Sequence, residues 1–291
     1  ALLTLVIDAA YLLPVLLLLS IGGGWLIARD SFLPLERITE AAGSISDGDD
    51  LSARLNLRRG PREMRRLART FDAMFARLET SFLSKKQFTA DASHELRTPV
   101  AVILAECDRA RRKAETKEDF LSSIGVIEQQ GNKMNDLIEQ LLSLTRIQQG
   151  TEKYPLRVCD LSGFVEACCD EFVPADERGI SLRTSIAPGI EAAYNPSLLS
   201  RALFNLLQNA YKYGAENGHI LVSLSEESGE AVISVRDDGP GIPKAEQGKI
   251  WQRFYRCDAA RAEGGTGLGL SLVREIALVH HARAEVKSEP G

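Results

Sequence analysis

The chain lacks a basic excess. Its 291 residues carry 35 Lys and Arg against 40 Asp and Glu, a formal net charge of −5, which leaves no electrostatic footprint for nucleic acid. It also lacks Cys-x-x-Cys pairs. Cys107, Cys159, Cys168, Cys169 and Cys257 have no zinc-ligand spacing with one another or with histidine. An odd, scattered set fits reduced thiols in a cytoplasmic compartment, most of them plain core residues. No Gly-Lys-Ser/Thr sequence ends a glycine-rich loop, which excludes a P-loop. Finally, no basic segment and no small-residue cleavage site flank the apolar run near the start, which argues against a cleaved signal peptide.

What is present begins with that run. Ala9 to Ala28 carries no charge and includes Val15-Leu16-Leu17-Leu18-Leu19. As a helix it reaches about 30 Å, the thickness of a hydrocarbon core. Residues 1–30 are therefore expected to form a transmembrane helix, with Arg29 and Arg37 marking a cytoplasmic side. Ala1 stands almost at the membrane, so any first span and external sensor are expected outside this chain.

Length allows two or three modules. Leu35, Ile38, Ala42 and Ile45 form a short heptad seam that Ser46-Asp47-Gly48-Asp49-Asp50 breaks. Leu51, Leu55 and Leu57 follow in an extended connector. Gly60-Pro61 opens a helix in which Met64, Leu67, Phe71, Met74 and Leu78 resume the seam. It runs on without a stop to about Lys113. A polar turn over 111–118 leads to a second helix, with Ile124, Ile127, Met134, Ile138 and Leu141 at helical spacing, which Gly150 ends. Each helix has one apolar stripe, and pairing two such hairpins into a homodimeric four-helix bundle buries both. Residues 151–160 read as a linker.

From Leu161 the pattern changes. Helices are expected over 161–176, 197–213 and 267–280, with strands over 180–186, 220–225 and 231–237, the last two forming a hairpin. Such mixing suggests helices packed on one face of a sheet.

Two features carry chemistry. Ser93-His94-Glu95-Leu96-Arg97-Thr98-Pro99 places a histidine beside a carboxylate within the long helix. A neutral imidazole attacks phosphorus well, and an adjacent carboxylate can take the proton it sheds. Pro99 should bend the helix where His94 projects.

The second feature is a set of three clusters. Asn205, Asn209 and Lys212 lie at i, i+4 and i+7 of one helix, followed by Tyr213. Amide oxygens suit Mg²⁺, and lysine reaches phosphate. Asp237-Asp238-Gly239-Pro240-Gly241 ends a strand, where a carboxylate can accept from an adenine amino group. Gly264-Gly265-Thr266-Gly267-Leu268-Gly269 leads into a helix, an arrangement that holds phosphates on backbone N–H groups. No strand precedes it, which argues against a dinucleotide fold.

Taken together, the string from Phe88 to Pro99 and these clusters resemble the phosphoacceptor, asparagine and glycine boxes of sensor histidine kinases of two-component systems. Ile250-Trp251-Gln252-Arg253-Phe254-Tyr255-Arg256 matches that family's phenylalanine box, and Pro34 and Glu63 match its HAMP relay. The resemblance implies a multidomain chain: a transmembrane helix, a HAMP relay over 31–81, and an antiparallel helical hairpin over 82–150 that forms a dimeric four-helix bundle. Residues 151–291 become an α/β sandwich ATP-binding domain of the Bergerat type. It implies His94 as acceptor, Glu95 as base, and Thr98 as the residue that orients water in a reverse, phosphatase reaction. It further implies Asn209, with Asn205 nearby, as Mg²⁺ ligands. Lys212, Tyr213, Asp237, Gly239, Gly241, Arg256, Gly265, Thr266, Gly267, Leu268 and Gly269 would line the ATP site. The partners implied are a second copy and a response regulator receiver domain. The location implied is the bacterial inner membrane, with the catalytic domains in the cytoplasm.

Some positions depart from the family pattern. Asp238 stands where Asn is usual and His281 where Gly is usual, and the segment between Arg256 and Gly264 is short for a lid. Pro290-Gly291 falls before the customary closing strand, a truncation expected to cost stability. His219, His280 and His281 read as solvated, structural residues. Two rivals stand beside the kinase. A catalytically inert scaffold is opposed by the intact asparagines and Asp237. An ATPase of the chaperone or topoisomerase kind has no need of the Ser-His-Glu helix.

Overall fold

The computed structural model describes residues 12–14, 16–25, 54–57, 62–113, 116–148, 154–172, 178–257 and 265–289. The chain divides into two compact units, 1–90 and 91–291.

In the first unit, residues 12–14 and 16–25 are helical, and leucines 12, 13 and 16–19 are exposed. Among the described residues no helix is long and apolar enough to cross a membrane. The first heptad seam, Pro34, the 46–50 break and Gly60-Pro61 lie outside the described residues. The connector at 54–57 is non-helical, as its spacing implies. It lies along α1 (Arg62–Lys113), where both oxygens of Asp72 accept backbone N–H groups, from Leu55 at 2.7 Å and Asn56 at 3.2 Å. Arg54 pairs with Glu79. Ala68 and Phe75 are buried beneath.

The second unit begins within α1, which runs unbroken through a buried Pro99. The second helix, α2, spans Lys117–Gln148. Thr116 and Asp119 form a reciprocal cap: the Asp119 N–H donates to the threonine hydroxyl at 3.2 Å, and the Thr116 N–H to the carboxylate at 3.1 Å. Arg109 ties the hairpin together by donating to buried Ser123 at 3.1 Å. Leu104, Phe120, Leu121, Ile124, Ile138 and Leu142 nevertheless remain exposed, so the hairpin does not bury its own apolar stripes.

The α/β part holds β1 (Arg157–Asp160), α3 (Leu161–Glu171), β2 (Ser181–Ile186), β3 (Glu191–Tyr194) and α4 (Pro196–Tyr213). After these come β4 (His219–Glu227), β5 (Glu230–Arg236), the single turn α5 (Lys244–Gln247) and α6 (Gly269–Val279). β2, β4 and β5 form one sheet in the order β2-β4-β5, parallel then antiparallel. β1 and β3 form a separate antiparallel pair. These two strands correct the sequence reading, which made 151–160 a linker and left 191–194 unassigned. Each has only four residues, and Val158 points to solvent, so neither shows a period of two long enough to read. α3 also stops at Glu171, short of the expected 176, with Phe172 as its C-cap.

Caps set the helix starts. Asp160 accepts from Gly163 N–H at 3.0 Å, and Asn195 from Leu198 N–H at 3.1 Å with Pro196 at the first helical position. Ile220, Val222 and Leu224 alternate along β4 into one core with Val165, Leu203 and Leu207. A second core joins Leu137, Leu144 and Ile147 of α2 to Leu198 and Ala202 of α4 and to Leu272, Val273 and Ile276 of α6. Helix α6 is thus held on both sides, and the loop before it is fixed at its far end.

Cys168 and Cys169 are buried. Burial pushes both thiols up, Cys169 to about 11, so they are protonated core residues. None of the five cysteines is joined in a disulfide.

Candidate functional site

His94 and Glu95 lie exposed on α1. The Thr98 hydroxyl donates back to the His94 carbonyl at 3.3 Å, the local bond that helical threonines commonly make. The bond ties the Thr98 side chain to the helix backbone one turn earlier.

The three sequence clusters meet at one end of the α/β part. Asn205 donates its amide to the Arg201 carbonyl at 2.7 Å, which turns its oxygen toward the start of α6. A Cβ at Gly269 would sit 2.9 Å from that oxygen and 3.8 Å from the Asn209 amide nitrogen, so glycine keeps a space between the asparagines and the helix N-terminus. Lys212 donates to the Tyr213 hydroxyl at 3.1 Å, with its ammonium 4.8 Å from that ring's centre. Gly265, at φ +111°, leaves room for the ammonium, since a Cβ there would be 2.6 Å from it.

The first glycine turn packs on the end of α4. Asp237 accepts from the Gly239 N–H at 3.0 Å. A Cβ at Gly239 would lie 2.4 Å from the Tyr213 carbonyl oxygen and 2.7 Å from the Asp237 carboxylate. Gly241 has φ +72°. Asp238 turns away from this pocket: its two oxygens accept from Ala215 N–H at 3.3 Å and His219 N–H at 2.8 Å. Those N–H groups, the His219 one foremost, hold its carboxyl below the usual carboxylate range.

The second glycine loop abuts the phenylalanine box. Phe254 itself has φ +59°. A Cβ at Gly267, φ +68°, would fall 2.7 Å from the Phe254 carbonyl carbon and 2.9 Å from the Tyr255 carbonyl oxygen. Strain of this kind gathers at sites the surrounding fold must hold. The side chain of Leu268 is fully buried in the second core, so that residue has only its backbone to offer a ligand. Thr266 donates to Gln140 of α2 at 2.6 Å. Arg256 is half-buried.

Three segments match known families: residues 26–80 the HAMP domain, 84–150 the His Kinase A (phospho-acceptor) domain, and 194–291 the Histidine kinase-, DNA gyrase B-, and HSP90-like ATPase. Sensor protein CutS of Streptomyces coelicolor is 32% identical over 283 residues, 95% of this chain and 67% of that protein. The chain belongs to the sensor histidine kinases of two-component systems. Sensor histidine kinase RppB of Synechocystis is 35% identical over 72% of this chain and 48% of its own length. The chain thus spans about half the length of several of the curated relatives it matches. In fold it is like the Acinetobacter baumannii histidine kinase AdeS, with a TM-score of 0.50 and 20% identity over 64% of this chain and 86% of that one.

The ATPase family implies ATP. The donor set fits both a triphosphate and its metal: two carboxamides, with the Asn205 oxygen facing the space, and an ammonium, around glycines whose missing side chains leave the room. Sequence reasoning missed four residues that tie these segments together. Arg178 caps the end of α4, Gln140 engages the glycine loop, and Glu275 accepts from both Arg253 at 3.1 Å and Gln148 at 3.0 Å. Asp238 registered only as a departure from the family pattern. Three of the four act between segments far apart in sequence, where no spacing rule reaches.

The remaining histidines are also corrected in part. His280 is half-buried and bonded on both ring nitrogens: its Nε2 accepts from Asn195 N–H at 3.0 Å, so its Nδ1 carries the proton donated to the Ile276 carbonyl at 2.7 Å. His281 has φ +53°, the conformation for which glycine is the usual choice.

Proposed function

We propose that the protein containing this chain is a membrane-anchored, homodimeric kinase that moves the γ-phosphoryl group of Mg-ATP to His94. It then passes the group to an aspartate on a response regulator receiver domain. One imidazole nitrogen of His94 attacks the γ-phosphorus, the bond to the ADP oxygen breaks, and the imidazole proton passes to Glu95. Asn209 and Asn205 would hold Mg²⁺, which neutralises charge on the triphosphate when bound. Lys212 meets a phosphate oxygen, Asp237 accepts from the adenine amino group, and Tyr213 lies against the base. Backbone N–H groups of 265–269 cover the phosphates at the N-terminus of α6.

The observation that carries this reading is the convergence of both asparagines and Lys212 on Gly265 and Gly269, where added side chains would fill the space. Exposed apolar residues on the hairpin favour a second copy as partner. The exposed leucines of the first helix, within the uncharged run 9–28, favour a span of the bacterial inner membrane with the catalytic domains in the cytoplasm. The domain division follows as 1–30, 31–81, 82–150 and 151–291. Thr98, one turn from His94, would hold water for the reverse reaction once its hydroxyl leaves the His94 carbonyl.

Incubation with γ-labelled ATP tests the reading. Wild type takes up acid-labile, base-stable label; His94→Gln takes up none and still binds nucleotide. Thr98→Ala keeps labelling and loses dephosphorylation of a phosphorylated regulator. Label persisting in His94→Gln places the acceptor elsewhere. Equal loss of both activities in Thr98→Ala makes that threonine a helix residue only.

A further inference from the structure

The turn after α4, residues 214–218, is held from two sides by opposite charges. Arg178, just before β2, donates from Nη1 to the carbonyls of Tyr211 at 2.7 Å and Lys212 at 2.6 Å, and from Nη2 to that of Gly214 at 3.1 Å. These are carbonyls a helix leaves unpaired at its end, where a cation also meets the negative pole of the helix dipole. Asp238, just after β5, takes the N–H groups of Ala215 and His219. The turn closes on itself through Asn217 N–H, which donates to the Arg178 carbonyl at 2.9 Å. Gly218 leaves the carboxylate its place, for a Cβ there would be 2.3 Å from it.

This turn directly follows Lys212 and Tyr213, and Asp238 directly follows Asp237. The Tyr213 carbonyl and the Asp237 carboxylate crowd the same glycine, Gly239. Whatever fixes the turn therefore fixes the spacing between the end of α4 and Asp237. We infer that Arg178 and Asp238 are positioning residues for base recognition, holding Tyr213 and Asp237 at the separation that lets Asp237 accept from an adenine amino group. Neither touches the nucleotide. The inference rests on the nucleotide reading above.

The chemistry of position 238 is specific. A carboxylate has two acceptor oxygens for two N–H groups, whereas an asparagine there keeps one acceptor and turns a donor toward the other N–H. Similarly, the fork of Arg178 spans three carbonyls, which a lysine ammonium cannot reach in one geometry.

The test is calorimetric titration of the whole chain with ATP and with inosine triphosphate, which lacks the exocyclic amino group, beside melting temperatures. Wild type is expected to prefer ATP. Asp238→Asn and Arg178→Met should bring ATP affinity down about tenfold toward that of inosine triphosphate, whose own affinity stays put. Arg178→Lys should fall between them and wild type, and it supplies the reading if Arg178→Met does not fold. An unchanged ratio between the two nucleotides overturns the inference. So does a parallel loss for both that follows melting temperature, because the clamp is then structural only. A wild type that binds neither nucleotide, or both equally, overturns the base-reading itself and the clamp with it.

Discussion

The proposed acceptor histidine and the proposed nucleotide pocket solve opposite problems. His94 stands exposed on a helix that runs uninterrupted over Arg62–Lys113, and no described residue from 62 to 148 has a positive φ. The pocket draws on the end of α4, the turn after β5, the phenylalanine box and the loop before α6. There Gly241, Phe254, Gly265 and Gly267 all take left-handed conformations. A nucleophile that must meet a nucleotide and then a partner protein has to be accessible, so a plain helix face suffices. A pocket that orients a triphosphate must be preorganised, and its strain is borne by the two cores that grip α4 and α6.

The sharpest way to break that contrast is at Asn209. Asn209→Ala should abolish Mg-dependent nucleotide binding and labelling together, while dimer mass is unchanged because the hairpin lies elsewhere. Calorimetry and light scattering read the two. Wild-type Mg²⁺ dependence would transfer the ligand role to Asn205; a monomer would make this helix face a packing surface.

Gly267→Ala probes the strain itself. An alanine there must hold φ +68° with its Cβ against the backbone of Phe254 and Tyr255, atoms that cannot swing aside. A loss of about 1–3 kcal/mol in unfolding free energy is expected, with weakened ATP binding. Gly131→Ala is the control, since nothing lies within 4 Å of its added Cβ. Equal melting temperatures for the two variants would show that the loop relaxes freely.

The smallest effect is acid-linked. The carboxyl of Asp238 lies below its ordinary value of 3.8 through the N–H groups of His219 and Ala215. The folded protein therefore binds that proton less readily than the unfolded chain. The stabilisation is complete above the ordinary value and is lost as pH falls through the folded one. Asp238→Asn should flatten the acid limb of a melting-temperature profile below about pH 4; an unaltered limb would place the dominant titration elsewhere.

Much of this organisation was legible because it is local. Helical spacing revealed α1 and α2, and Asn205, Asn209 and Lys212 share a face for the same reason. The β4–β5 hairpin was legible from two neighbouring strand patterns, and Ser228 and Gly229 in its turn both take positive φ. The four-residue strands β1 and β3 were not legible, since their pairing is with each other across 30 residues and four positions carry no period. The bonds of Thr266 to Gln140 and of Glu275 to Arg253 and Gln148 were equally hidden, because the partners lie far apart along the chain.

By itself, then, the sequence determined the helical hairpin and the chemical identity of the groups proposed for the acceptor and nucleotide roles, since periodicity and residue chemistry act within a few turns of chain. Only the tertiary structure decided which way those groups face. Asn205 is aimed by Arg201 and Gly269, Lys212 by Gly265, and Asp238 is drawn off to bind the turn after α4. Each orientation depends on which backbone N–H, carbonyl or vacant Cβ position lies opposite, and that is set by the packing of α4 into both cores and of α6 into the second.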